Sequence, residues 1–93
     1  MAAKSGQTAV TTAGTAVALG SVAIHGPLMV KALAANTDLI YIGSDGAGDV
    51  ASSNGLELAA GEALILNYVG DLASIMVDSA VNGEGVAWLA LEF

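Results

Sequence analysis

One histidine, nine carboxylates and a single tryptophan are the side chains of this 93-residue chain with the most chemistry to offer. An acid–base or metal role for His25 needs a cysteine, a second histidine or a positioned acid beside it. The chain holds no cysteine and no other histidine, so His25, ahead of Gly26 and Pro27, reads as a loop residue. Asp45 and Asp49, with glycines between them, have the look of a calcium loop. They lack the alternate-position acids and the distal bidentate glutamate that such a loop uses. The same glycines do not make a phosphate loop, because no Lys-Ser/Thr follows and no helix opens after them. A solvated hairpin loop is the remaining reading. Glu57 and Glu62 come nearest to a carboxylate pair. Glycoside hydrolysis holds two acids about 5–10 Å apart in a sugar-sized cleft, and Tyr41, Tyr68, Trp88 and Phe93 are the only aromatics available to line one. Glu57 reads as an outward strand residue and Glu62 as a turn residue. Trp88 fits two roles, core residue or interface anchor, because indole joins a large apolar area to one polar handle. No nucleophile–base–acid set can be assembled. The expectation is a non-enzyme with no catalytic, cofactor-binding or metal-binding residues.

Composition narrows the partners. The formal charge is −7, from nine acids against two lysines and no arginine. Nucleic-acid binding requires cations to neutralise phosphates, and anionic membranes repel the same acidity. The acidity instead suits solubility. Residues 5–30 carry no Asp, Glu, Lys or Arg. Ser5, Gln7, Thr8, Thr11, Thr12, Thr15 and Ser21 interrupt them, and Gly26-Pro27 breaks them, so neither a membrane span nor a signal peptide is expected. The absence of cysteine fits synthesis in a reducing cytoplasm. Hydrophobic residues make up 55% and charged residues only 12%. A domain of this size has too little interior for that apolar load, which predicts a surface shared with another copy or a partner.

The elements that must position these residues are strands. Asn54-Gly55 is a tight-turn signal, followed by the alternating Leu56-Glu57-Leu58, a break at Ala59 to Glu62, and the apolar run from Ala63 to Tyr68. The rest of the chain has the same grammar. Residues 1–6 are unpatterned and read as a flexible N-terminal arm, with a single β domain over 7–93. Gln7–Thr12 and Thr15–Leu19 read as strands, or as one long strand bulged at Ala13-Gly14. Strands follow at Ser21–Ile24, at Leu28–Ala35 with Lys31 outward, and at Leu39–Ile42. Gly70-Asp71 is a turn, Leu72–Asp78 a strand, Asn82-Gly83 a second Asn-Gly turn, and Val86–Phe93 the last strand. About eight short antiparallel strands at this spacing predict an all-β fold, a small β-sandwich or jelly-roll-like barrel. LIYI and VAWLAL are apolar on both faces, which points again to subunit contacts.

Several pieces in order resemble small structural proteins of tailed bacteriophages. They are Gly6 to Val17, Val30 to Thr37, Ile40 to Gly43, Ser52 to Leu56, Leu58 to Glu62, and Ala80 to Val86. The similarity extends from about Gly6 to Ala90. It implies a virion protein of the head decoration (cement) or head-fibre type, made in the host cytoplasm. Such a protein sits on the outer capsid surface as an oligomer, typically a trimer, and clamps junctions between major capsid proteins. The alternative within that resemblance is a tail- or fibre-associated β module that binds a receptor or carbohydrate. On either, the N-terminal arm is free to add a strand to a partner's edge.

Overall fold

The computed structural model describes residues 2–24, 26–46, 48–51, 54–67 and 70–92. They form ten strands: β1 (Ala2–Val10), β2 (Val17–Ala18), β3 (Ala23–Ile24), β4 (Leu28–Ala32), β5 (Ile40–Ser44), β6 (Leu56–Leu58), β7 (Ala63–Leu66), β8 (Gly70–Asp71), β9 (Ile75–Ser79) and β10 (Glu84–Glu92). A single 3-10 turn over Leu72–Ser74 precedes β9, and the Asp71 side chain caps it by accepting from the Ala73 N–H. Four strands in the order β1-β10-β4-β7 make a front sheet, and four in the order β2-β9-β5-β6 make a back sheet. β3 and β8 form a separate two-stranded ribbon.

The pairing is nested. The first strand pairs with the last, the second with the ninth, the third with the eighth, the fourth with the seventh and the fifth with the sixth, all antiparallel. This is a jelly roll: one long hairpin rolled up so that the four main strand pairs fall alternately in two packed sheets, with the β3–β8 pair set apart as the ribbon. The expected sandwich of antiparallel strands is therefore the observed fold class. The roll also decides what the glycine-rich breaks do. Only β5 and β6 are both consecutive and paired, so the other connections between the main strands carry the chain between sheets. Asn54-Gly55 and Asn82-Gly83 are not two-residue hairpin turns. That turn needs positive φ at its first residue or at both, and among the described residues only glycines have it: Gly55 at +135° and Gly83 at +84°. Asn54 bridges to Ala51 inside the long β5–β6 loop, and the Gly83 N–H donates to the Val10 carbonyl as the chain crosses from back to front. Gly70-Asp71, expected as a turn, pairs with β3. β1 and β2 lie in different sheets, which excludes one bulged strand.

Alternate residues of each strand face inward. Leu28, Val30 and Ala32 of β4, Val86 and Ala90 of β10, Ile40 and Ile42 of β5, and Val77 of β9 form the buried core with Val10, Leu19, Ile24, Leu58 and Leu72. Each of the larger side chains contributes about 1.5–3 kcal/mol on burial. Trp88 is also on the inward face, partly buried against this core, which decides between its two sequence readings. Its β1 neighbour in register is Gly6, and a Cβ there would meet the indole at 3.0 Å. Gly6 is thus the space the indole occupies. Ala2–Gly6, expected as a flexible arm, are paired with Trp88–Glu92 as the outer half of β1. The reason is that β10 is long enough to template the full nine-residue strand.

The outer faces of the two sheets differ. On the back sheet, Tyr41 and Asp78 are cross-strand neighbours that point away from the core, yet both are buried. The chain covers them itself. The Asp78 Oδ1 accepts from the Gly14 N–H at 3.0 Å, which pins the β1–β2 connection, and also from the Ser79 N–H at 2.8 Å. The β5–β6 loop packs Val50 onto Gly43 and brings Gly55 against Tyr41. LIYI is therefore two-faced because its own loop lies over it, and that part of the apolar surplus needs no partner.

Two substitutions test this packing. Gly6→Val is expected to overpack the indole and destabilise by about 1–3 kcal/mol, read as a lower urea midpoint with a changed Trp88 fluorescence spectrum; an unchanged spectrum and midpoint would remove Gly6 from this role. Asp78→Ala leaves two backbone N–H groups without their acceptor and is expected to cost about 1–3 kcal/mol, whereas Asp78→Asn keeps the Oδ1 acceptor and should cost less, both measured by chemical denaturation.

Candidate functional site

Among the described residues, the outer face of the front sheet has no such cover. On β10 the outward residues are Gly85, Ala87, Leu89 and Leu91; on β4, Met29 and Lys31; on β7, Ala63 and Ile65; and on β1, Ala3, Ser5, Gln7 and Ala9, by strand alternation and register. The register places Leu89, Met29 and Ile65 side by side in one row across three strands. They are 48%, 41% and 64% exposed, and Leu91 beside them is 40% exposed. Pro27 continues the row above, held there because its carbonyl accepts from the Leu91 N–H at 3.0 Å. These side chains surround a shallow apolar depression of about 190 Å³. Exposed single leucines are ordinary, but a contiguous apolar cluster on a sheet face is what contact surfaces are made of.

Charge makes the face more specific. Among the described side chains no carboxylate stands on it, and Lys31 is its one charged residue. The acids lie elsewhere: Asp45 and Asp49 in the β5–β6 loop, Glu57 outward on β6 of the back sheet, Glu62 in the turn before β7, and Asp71 in the ribbon. A molecule with a formal charge of −7 therefore presents one neutral-to-positive, largely aliphatic side.

The end of the sandwich beside this face is fixed by a polar latch. Glu84, at the start of β10, is buried. Its carboxylate accepts from the Thr37 backbone N–H, from the Thr37 hydroxyl at 2.7 Å and from the Asp38 N–H at 3.1 Å. Next to it the Asn36 side-chain amide pairs in both directions with the Gly85 peptide, donating to its carbonyl at 2.9 Å and accepting from its N–H at 3.2 Å. Gly85 has no room for a side chain, since a Cβ would lie 2.4 Å from the Thr8 carbonyl oxygen. The Thr37 N–H holds the Glu84 carboxyl below its usual value of 4.5; burial opposes this, and the Thr37 hydroxyl and Asp38 N–H add to the lowering. The latch ties the β4–β5 connection to the strand at the centre of the open face.

The candidate residues named from sequence are dispersed. Glu57 is exposed on β6, and Glu62 closes its own turn by accepting from the Ala59 N–H at 2.7 Å. Asp49 accepts from the Ser44 hydroxyl at 2.5 Å within the loop, and the Asn54 amide donates to the Gly48 carbonyl. His25 lies outside the described residues. Among the described residues no group of three or more His, Cys, Asp or Glu side chains could hold a metal, and no helix is long and apolar enough to cross a membrane. Sequence reasoning singled out neither Glu84 nor Asn36, and it took Asp78 only as the end of a strand.

The fold and this face define a small jelly-roll domain with an open apolar sheet face that carries no acid among the described side chains. Comparison of the chain with protein-family models, curated proteins and solved structures finds no match to any of them.

The latch has a pH signature. A carboxyl whose pKa is lowered on folding adds stability that is fully present above its unfolded value and is lost as the pH falls through its folded value. The unfolding temperature of the wild type is thus expected to fall as the pH drops below 4.5, while Glu84→Gln should start less stable at neutral pH and lose less on acidification. Parallel curves for the two proteins would contradict the assignment.

Proposed function

We propose that the protein is a structural assembly module of a tailed-phage virion, of the capsid-decoration type, acting through protein contacts and not through catalysis. The observation that carries this reading is the open face of the front sheet: Met29, Ile65, Leu89 and Leu91 exposed together on a side of an acidic domain where no described side chain is an acid. A lone protomer gains nothing from leaving this surface wet. A protomer assembled on a particle covers it, while the exposed carboxylates elsewhere face solvent and keep the particle dispersed. Multivalency supplies the mechanism, because several modest contacts per oligomer add to a tight attachment. The resemblance of several sequence pieces, in their order, to small phage head proteins is what favours placing that assembly on the outer capsid surface, with the major capsid protein as partner.

The test is binding to empty heads of the phage that encodes the chain, alongside a glycan array. Saturable binding that raises the temperature at which the heads rupture, with no glycan signal, is the expected result. A glycan signal without head binding would overturn it in favour of a receptor-binding tail or fibre module.

A further inference from the structure

We infer that the free edge of β1 pairs antiparallel with β1 of a second copy, joining two front sheets into one continuous sheet across a two-fold axis. Backbone alternation identifies the edge. Each residue of a strand points its N–H and C=O to one side, and successive residues alternate. The Gly85 carbonyl accepts from the Leu33 N–H and the Leu91 N–H donates to the Pro27 carbonyl, so the odd-numbered residues of β10 bond towards β4. Its even-numbered residues bond towards β1, where the register gives them Ala2, Lys4, Gly6, Thr8 and Val10. Ala3, Ser5, Gln7 and Ala9 therefore turn their backbone groups out of the sheet. Among the described residues these groups have no hydrogen-bond partner, because β1 ends the sheet. An unpaired edge is a template for another strand, and proteins blunt such edges with short strands, proline or bulges. β1 has nine residues, no proline and an unbroken register. The other edge strands of the two main sheets, β7, β2 and β6, have four, two and three residues.

The register selects a second copy as the occupant. A strand laid antiparallel to its own copy is complementary in its backbone by symmetry. With the axis at Gly6, Ala3 pairs with Ala9 of the second copy and Ser5 with Gln7, and every outward N–H and C=O of both strands is bonded at once. An axis at Ser5 or at Gln7 carries Ala9 or Ala3 past the end of the opposite strand. An axis at Lys4 sets the two lysines against each other, which cross-strand pairing disfavours. The Gly6 register instead sets Lys4 against Thr8, four residues or about 13 Å along the strand from the other lysine. It also sets the Ser5 hydroxyl against the Gln7 amide, alanine against alanine and glycine against glycine. Residues 2–10 carry no acid in a chain of charge −7, so no carboxylates meet along this edge.

The pairing has a consequence for the open face. A two-fold axis between antiparallel neighbours runs perpendicular to the sheet, so the outer faces of both front sheets lie on the same side. The two rows of Met29, Ile65 and Leu89 then face one partner together, and attachment becomes bivalent. Pairing also uses up the β1 edge of each copy and closes at two, where the sequence resemblance implies three. The inference rests on the edge and stands apart from the decoration reading, to which it adds this bivalency.

The experiment is light scattering of the full chain across a dilution series, with amide exchange followed by NMR and head binding scored on the same preparations. The expected mass rises with concentration from 9.1 kDa to about twice that value and stops there. Exchange at Ala3, Ser5, Gln7 and Ala9 should slow about tenfold or more over the same range. Exchange at Ala63 and Ile65 should not change, since Ala32 bonds to Glu62 and alternation turns their N–H groups to the opposite edge. Ser5→Pro and Gln7→Pro each remove an N–H that the protomer does not use, so the fold persists and the pair should weaken about tenfold or more. Val81→Ser, away from the edge, should leave it unchanged. A monomer at every concentration, a mass that passes two copies, or a dimer without slowed exchange at the four β1 amides would overturn the inference. A monomer that still binds heads overturns the pairing alone; a dimer that binds no heads overturns the decoration role alone.

Discussion

The nine-residue pairing of β1 with β10 is the contact on which the rest of the molecule depends. It closes the roll by joining the two most distant strands of the sequence, and it makes β10 an interior strand, hydrogen-bonded on both edges. Once β10 is interior, its two faces acquire different fates. Val86, Trp88 and Ala90 enter the core, and Ala87, Leu89 and Leu91 become the middle of the open face. The same strand begins with Glu84 and Gly85, which hold the β4–β5 connection through Thr37, Asp38 and Asn36. Core, latch and candidate interface are therefore read from successive residues of one strand. Closing such a nested set of pairings joins residues far apart in the chain, and topologies of this kind fold slowly.

A small sandwich built from a chain so rich in apolar residues has two outer faces to manage, and it treats them differently. The back sheet is covered by the molecule's own loops, one pinned through Gly14 and Asp78 and the other laid down through Val50 and Gly55. Covering a sheet this way buries Asp78, whose Oδ2 has no hydrogen-bond partner among the described residues, so the cover carries an energetic penalty. Over the outer face of the front sheet no described segment lies in the same way. Its aliphatic residues Met29, Ile65, Leu89 and Leu91 stand exposed.

Much of the strand layout was legible in the residues. The alternation of Leu28 to Ala32 with Lys31 outward, the branched run of β5 and the long apolar β10 are patterns a strand produces wherever it sits. What the strands do to each other was less legible. Asn-Gly favours a tight hairpin locally, but in a roll the neighbour in sequence lies across the core, so Asn54 and Asn82 serve loops and crossings. The apolar surplus was legible as an amount and not as a place. Tyr41 and Leu89 look alike in sequence, and only the fold shows that a loop covers the first and leaves the second open. Glu84 and Asn36 were missed because their partners lie 46 to 49 residues away, and no local pattern marks a side chain that acts at that distance. The N-terminal arm was misjudged for the same reason: Ala2 to Gly6 have little strand character of their own, and β10 supplies the template.

The measurement that reaches the central claim most directly is the solvent accessibility of the Met29, Ile65, Leu89 and Leu91 methyl groups, followed by NMR with a soluble paramagnetic probe as empty heads are added. If the open face is the assembly surface, these four lose relaxation enhancement together as heads are added, while the methyls of Leu56 and Val81 keep theirs. If the four stay equally accessible at every ratio of heads to protein, or if protection appears at Leu56 and Val81 instead, the face is not where this protein assembles.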